Sequence, residues 1–145
     1  MLGAAVEAAA RSADSPRLLA VTVLTSMDRA QMDAVGLAKT PAAQVELLAR
    51  MGMGAGIRGF VCSPQEVSAL RRVTGPEGLL VIPGIRPADA ATGDQKRVAT
   101  PAEALRQGAS YLVVGRPITQ AAHPAEAAES ILREMGEGLA AAAVQ

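Results

Sequence analysis

Two glycine-arginine corners carry the first chemical signal in this sequence. Gly84-Ile85-Arg86 and Gly115-Arg116 each follow a short apolar run, residues 79–83 (LLVIP) and 111–114 (YLVV). A guanidinium offers forked donors to an oxyanion, and glycine lets backbone amides come close to it. Two such corners on one edge would suit a phosphate. The plainer alternative is that Arg86 and Arg116 are surface residues that cap strand ends. The choice depends on whether the fold brings both corners to the same edge.

The intervening residues predict that it does. Both apolar runs read as buried strands, being short, rich in β-branched residues and bounded by turn formers. Between them come a polar loop and a helix. Thr100-Pro101-Ala102-Glu103 is a capping box with proline at the first helical position, and Gly108 sits where the helix should stop. Strand, loop, helix and strand make one right-handed βαβ crossover with parallel strands, so the corners leave the carboxyl ends of neighbouring strands.

The rest of the chain repeats the alternation. An alanine-rich helix over residues 2–11 precedes a first strand at 18–24, and a short helix is expected around 28–35. Thr40-Pro41 opens a helix whose apolar stripe is read as Val45, Leu47, Leu48 and Met51, closed by glycines 52, 54 and 56. Those glycines follow a helix and precede a strand, the reverse of what a dinucleotide loop requires. A second strand at 57–62 leads into the capping box Ser63-Pro64-Gln65-Glu66 and a helix to about residue 73. A last helix is expected from 124 to about 135, ended by Gly136 and Gly138, with a loose tail to Gln145.

Composition narrows the function classes. A chain of 145 residues, half of them hydrophobic, is the size of one domain with a real core. Phe60 and Tyr111 are its only aromatics, and 14 basic residues balance 14 acidic ones. Neither nucleic acid nor an anionic membrane is therefore expected as a partner. Cys62, the single cysteine, lies in a predicted strand and reads as a small buried hydrophobe rather than a reactive thiol. One cysteine allows no disulfide within the chain, which fits a reducing, cytoplasmic setting. No apolar run approaches the ~18 residues of a membrane span, and the N-terminus lacks the basic region of a signal peptide.

Strict alternation of strands and helices means an α/β fold with a parallel sheet. An open doubly wound sheet would carry a glycine-rich turn after its first strand. Here that turn is Thr25-Ser26-Met27-Asp28, and the Gly-Arg corners come after the last two strands instead, as in an eightfold barrel. Such a barrel takes about 250 residues. If the barrel reading holds, residues 1–145 are one partial domain: four parallel βα units forming the C-terminal half of a (β/α)₈ barrel, without the N-terminal half.

The segments LLAVTVLTSM (18–27), GFVCSPQE (59–66), VIPGIRP (81–87), GDQKRVATPAEAL (93–105) and YLVVGRPIT (111–119) resemble, in order and spacing, the C-terminal half of bacterial orotidine 5'-phosphate decarboxylases. The resemblance implies a (β/α)₈ barrel that works as a homodimer and converts orotidine 5'-phosphate to UMP and CO₂, the last step of de novo pyrimidine synthesis. It implies no metal and no organic cofactor. It places Thr25 near the pyrimidine, Arg86 and Gln95 on a loop closing over the phosphate, and Gly115 and Arg116 as the phosphate-binding pair after the last strand.

The same resemblance exposes a gap. Catalysis in that family rests on an Asp-x-Lys-x-x-Asp motif with a further Asp and Lys, and the lysine protonates C6 as CO₂ leaves. The two lysines here, Lys39 and Lys96, lie in no such motif, and Asp89 and Asp94 have no lysine at the needed spacing. No catalytic residue is assigned. The chain thus reads as a fragment of a decarboxylase. The alternatives are a non-catalytic phosphate-binding half-barrel that needs a partner, and a phosphosugar-acting barrel such as a hexulose-phosphate synthase, against which the GIRP and GDQ segments speak.

Overall fold

The computed structural model describes residues 1–87 and 96–142. Four strands, β1 (Leu19–Val21), β2 (Gly59–Val61), β3 (Leu79–Ile82) and β4 (Tyr111–Leu112), lie side by side in sequence order and pair in parallel throughout. Each crossover adds a strand next to its predecessor. A doubly wound sheet reverses its strand order at a switch point, whereas a barrel grows in one direction. The expected α/β architecture with four parallel βα units is what forms.

The strands are shorter than the apolar runs that specify them. β1 and β4 are the two edges of the sheet, so each has one neighbour and its ladder stops where that neighbour turns away. Single bonds persist beyond the ladder: the Thr22 amide donates to the Val61 carbonyl at 3.1 Å and the Val113 amide to that of Ile82 at 2.9 Å.

Three of the helices begin beside side chains that cap them. The helices are α1 (Leu2–Ala10), α2 (Arg29–Ala34), α3 (Pro41–Gly54), α4 (Val67–Thr74), α5 (Pro101–Arg106), α6 (Arg116–Thr119) and α7 (Pro124–Ala142), with a 3₁₀ turn at Pro64–Glu66 before α4. Asp28 and Thr100 form reciprocal capping boxes with Gln31 and Glu103, and the Thr40 hydroxyl accepts from the Ala43 amide. None of the described helices is long and apolar enough to cross a membrane.

Two readings of the helices need correction. In α3 the buried positions are Val45, Ala49 and Gly52, with Leu48 half-buried, while Leu47 and Met51 point outward. The stripe follows i, i+3, i+4 and i+7 from Val45, and residues 47 and 51 lie off that face. The last helix does not stop at its glycines but runs on to Ala142. Gly138 is a packing contact: a Cβ there would stand 2.7 Å from the Cα of Ala102 and 2.9 Å from its carbonyl oxygen. This close approach lets α7 lie along α5, the most extensive helix pairing in the fold.

Among the described residues, the sheet is covered on one face only. Phe60, Leu80 and Ile82 point into a core with Val45, Ala49, Val67 and Leu70 from α3 and α4, all fully buried. Across the pleat the parallel register aligns Val21, Val61, Val81 and Tyr111 on the opposite face. There Leu19, Val21, Tyr111 and Val113 are 44%, 60%, 57% and 50% exposed. Parallel sheets are ordinarily covered on both faces, so this face has the character of a barrel interior that is half built.

The two α7 glycines should respond oppositely to alanine. Gly138→Ala must push α7 off α5 and is expected to cost about 1–3 kcal/mol, as overpacking does. At Gly136 an added methyl would meet no atom within 4 Å, so Gly136→Ala should gain about 0.5–1 kcal/mol from helix propensity. Urea unfolding midpoints check both, and equal midpoints would refute the packing role of Gly138.

Candidate functional site

Three groups of expected site residues gather at the carboxyl edge of the sheet. Thr25 lies in the turn after β1, Gly84-Ile85-Arg86 leaves β3, and Gly115-Arg116 leaves β4, the hydrogen-bonded neighbour of β3. Parallel strands present their carboxyl ends together, which is why residues 25, 86 and 116 share one edge. Gly84 takes a φ of +77°, a left-handed turn open to glycine that sends the chain sharply out of the strand.

The two arginines differ in setting. Arg86 is buried, 8% exposed, and its Nη1 donates to the Ile85 carbonyl at 2.7 Å. It is therefore no simple surface cap. Arg116 is exposed at the first position of α6, with Gly115 as the N-cap. Gln95, expected on the phosphate loop, lies outside the described residues, as do Asp89 and Asp94.

The segment 96–99 joins these groups. The Lys96 amide donates to the Thr25 carbonyl at 3.3 Å, and the Lys96 ammonium reaches Asp28 Oδ2 at 2.6 Å and Gln31 Oε1 at 3.1 Å. On the other side the Arg86 amide donates to the Ala99 carbonyl at 3.0 Å and the Ala99 amide to that of Gly84 at 3.4 Å, around a parallel bridge between Ile85 and Ala99. The strap thus crosses from the exit of β1 to the exit of β3. Lys96 is committed to an ion pair, and its hydrogen bond holds the Asp28 carboxyl below the usual range.

Arg97 lies under the strap, 6% exposed, and pairs with Glu66, 4% exposed. Its Nη1 donates to Glu66 Oε1, and its Nη2 donates to the carbonyls of Val23 at 3.2 Å and Leu24 at 2.9 Å. The Ser63 hydroxyl donates to the Arg97 carbonyl at 3.4 Å and accepts from the Gln65 amide at 3.2 Å. Burial pushes the Glu66 carboxyl above its ordinary range, against the opposing pull of Arg97 and Ser63. The pair was not legible as a functional feature: Glu66 reads as a capping-box acid and Arg97 as one more residue of the GDQKR segment. The available signal was that both stand within segments carrying the family resemblance.

A separate cavity of about 430 Å³ opens at the amino edge of the sheet, where Val6 and Ala9 of α1 face Leu18, Ile57 and Leu79 at the strand starts. Its position is opposite to Thr25, Arg86 and Arg116. Ligands of parallel sheets bind outside the carboxyl ends, so the edge that carries the two arginine corners outweighs this hollow.

Comparison with known proteins points to one family. A family model described as "Orotidine 5'-phosphate decarboxylase / HUMPS family" matches residues 1–131. The chain is 61% identical over 127 residues to an orotidine 5'-phosphate decarboxylase of Anaeromyxobacter sp. (strain K), covering 87% of this chain and 56% of that protein. It is 55% identical over 135 residues to the decarboxylase of Nitrosococcus oceani, covering 93% and 58%. The crystal structure of the Lactobacillus acidophilus decarboxylase superposes with a TM-score of 0.67 at 42% identity, over 83% of this chain and 50% of that one. An uncharacterised conserved protein from Geobacillus kaustophilus superposes with a TM-score of 0.69 at 27% identity, over 93% of this chain and 58% of that one. The chain spans a little over half the length of the curated relatives it matches.

Cys62 stands beside this edge but is chemically quiet. It is buried, and desolvation followed by the Glu66 charge pushes its thiol up to about 12. A thiol-specific reagent at pH 8 should leave the native chain unmodified and label one cysteine after unfolding in urea. Rapid labelling of the native chain would contradict that burial.

Proposed function

The chain belongs to the orotidine 5'-phosphate decarboxylase / HUMPS family, and from that premise we propose that it supplies the phosphate-holding part of a carboxy-lyase converting orotidine 5'-phosphate to UMP and CO₂. The observation that carries this reading is the convergence of Thr25, Arg86, Gly115 and Arg116 on the carboxyl edge of a one-directional parallel sheet. In the proposed assignment Arg116 and the Gly115 amide hold the phosphodianion, Arg86 and Gln95 complete its shell, and Thr25 stands by the pyrimidine. A charge-assisted grip on a remote phosphate supplies binding energy that the enzyme can spend at the reacting carbon. The reading calls for neither metal nor organic cofactor, and it sets the complete enzyme as a cytoplasmic homodimer.

The residues that would move the proton at C6 are not among those of this chain. Lys96 is engaged with Asp28 and Gln31, and Lys39 precedes α3 without an Asp-x-Lys-x-x-Asp context. The open sheet face of Leu19, Val21, Tyr111 and Val113 supports a second reading of the chain taken alone: a non-catalytic phosphate-binding half-barrel that requires a completing partner.

The test uses the 145-residue chain itself. Alone it should release no CO₂ from orotidine 5'-phosphate above a no-enzyme control, yet bind UMP more tightly than uridine. Arg116→Ala should remove about tenfold of that preference, equivalent to about 1.4 kcal/mol. Turnover by the chain alone would refute the assignment of catalysis to other residues. Equal affinity for UMP and uridine would refute the phosphate site.

A further inference from the structure

Two charged side chains are buried together at the carboxyl edge without making full use of their hydrogen-bonding capacity. Glu66 Oε2 and Arg97 Nε have no partner among the described residues. Buried ion pairs are seldom the most stabilising solution, since apolar side chains of similar volume pack as well without the cost of desolvating charge. Buried polar atoms left unsatisfied call for a reason other than packing. Here the reason lies in what the guanidinium connects.

Arg97 reaches three segments at once. Its fork touches Glu66 beyond β2 and the carbonyls of Val23 and Leu24, the two residues before Thr25. Its backbone belongs to the strap, which is bonded to Thr25 on one side and to Gly84 and Arg86 on the other. The planar fork of arginine can hold a carboxylate and two carbonyls in fixed directions, and no apolar side chain and no lysine can do the same. We infer that Glu66 and Arg97 are positioning residues: their pair fixes the Thr25 turn relative to the Arg86 corner and so sets the spacing of the substrate site. This rests on the proposed phosphate site and extends it, since neither side chain is assigned a contact with substrate.

Arg71 provides an internal control. It donates to the carbonyls of Gly75, Pro76, Gly78 and Gly108 and to the Ser110 hydroxyl, a comparable hub of bonds at the opposite, amino edge. Replacing it should disturb stability without touching the site.

The experiment compares UMP and uridine affinities for the wild-type chain and for Arg97→Lys, Glu66→Gln and Arg71→Lys, and follows amide exchange at Lys96, Arg86 and Ala99. Arg97→Lys and Glu66→Gln should each lower the UMP preference about tenfold or more and speed exchange at those three amides, while Arg71→Lys should leave the preference within about twofold. If Arg97→Lys fails to fold, the isosteric Glu66→Gln carries the comparison. The inference is overturned if folded pair variants keep the wild-type preference, or lose no more of it than Arg71→Lys does. Failure of the underlying phosphate site looks different: wild type itself would not distinguish UMP from uridine. Failure of the inference alone would show a preference in wild type that Arg116→Ala removes and the pair variants keep.

Discussion

Glu66 and Arg97 lie 31 residues apart in sequence, yet they meet beside the exits of β1 and β2. Strands in a parallel sheet fix one another along their length but say nothing about the loops that leave them. A buried charge pair with further bonds to Val23 and Leu24 supplies that missing constraint. Breaking such a pair leaves an uncompensated buried charge, so the arrangement has little tolerance for drift. The strap at 96–99 inherits its position from this pair, and the Thr25 turn and Arg86 corner inherit theirs from the strap.

The sheet beneath this edge has two unlike faces. One face is sealed by α3 and α4 over Phe60, Leu80 and Ile82; the other presents Leu19, Val21, Tyr111 and Val113 to solvent. Among the described residues, edges β1 and β4 each retain an unpaired side, which in a closed barrel would be occupied by further strands. The matched part of this chain covers only 56% and 58% of two of its curated relatives. The proposed division places phosphate recognition on this half and proton transfer on groups beyond it, joined across the sheet face that is apolar and open here.

Much of the fold was legible because its signals are local. The Thr100 to Glu103 capping box, the proline after it, the glycine at 108 and the apolar runs of the strands each depend on a few adjacent residues, and each predicts the element that forms. The same locality explains the misses. Whether Gly138 ends a helix or lets it pack depends on Ala102, far away in sequence, and the outward turn of Leu47 and Met51 follows from where the sheet lies. That the corners at residues 86 and 116 share one edge was legible because the helix signals between them predict a single parallel crossover. Arg97 was not, because an arginine beside a lysine in a polar segment looks solvated until a glutamate from another crossover is seen against it.

The claim on which all of this turns is that the carboxyl edge, and not the hollow at the amino edge, receives a phosphorylated nucleotide. Titrating the isotope-labelled chain with UMP and following its backbone amide resonances tests that directly. The expected result is a set of shifts confined to Thr25, Gly84 to Arg86 and Gly115 to Arg116, reproduced in part by inorganic phosphate and weakened by added salt. Shifts clustered instead on Val6, Arg17, Arg58 and Glu77, which line the opposite cavity, would contradict it.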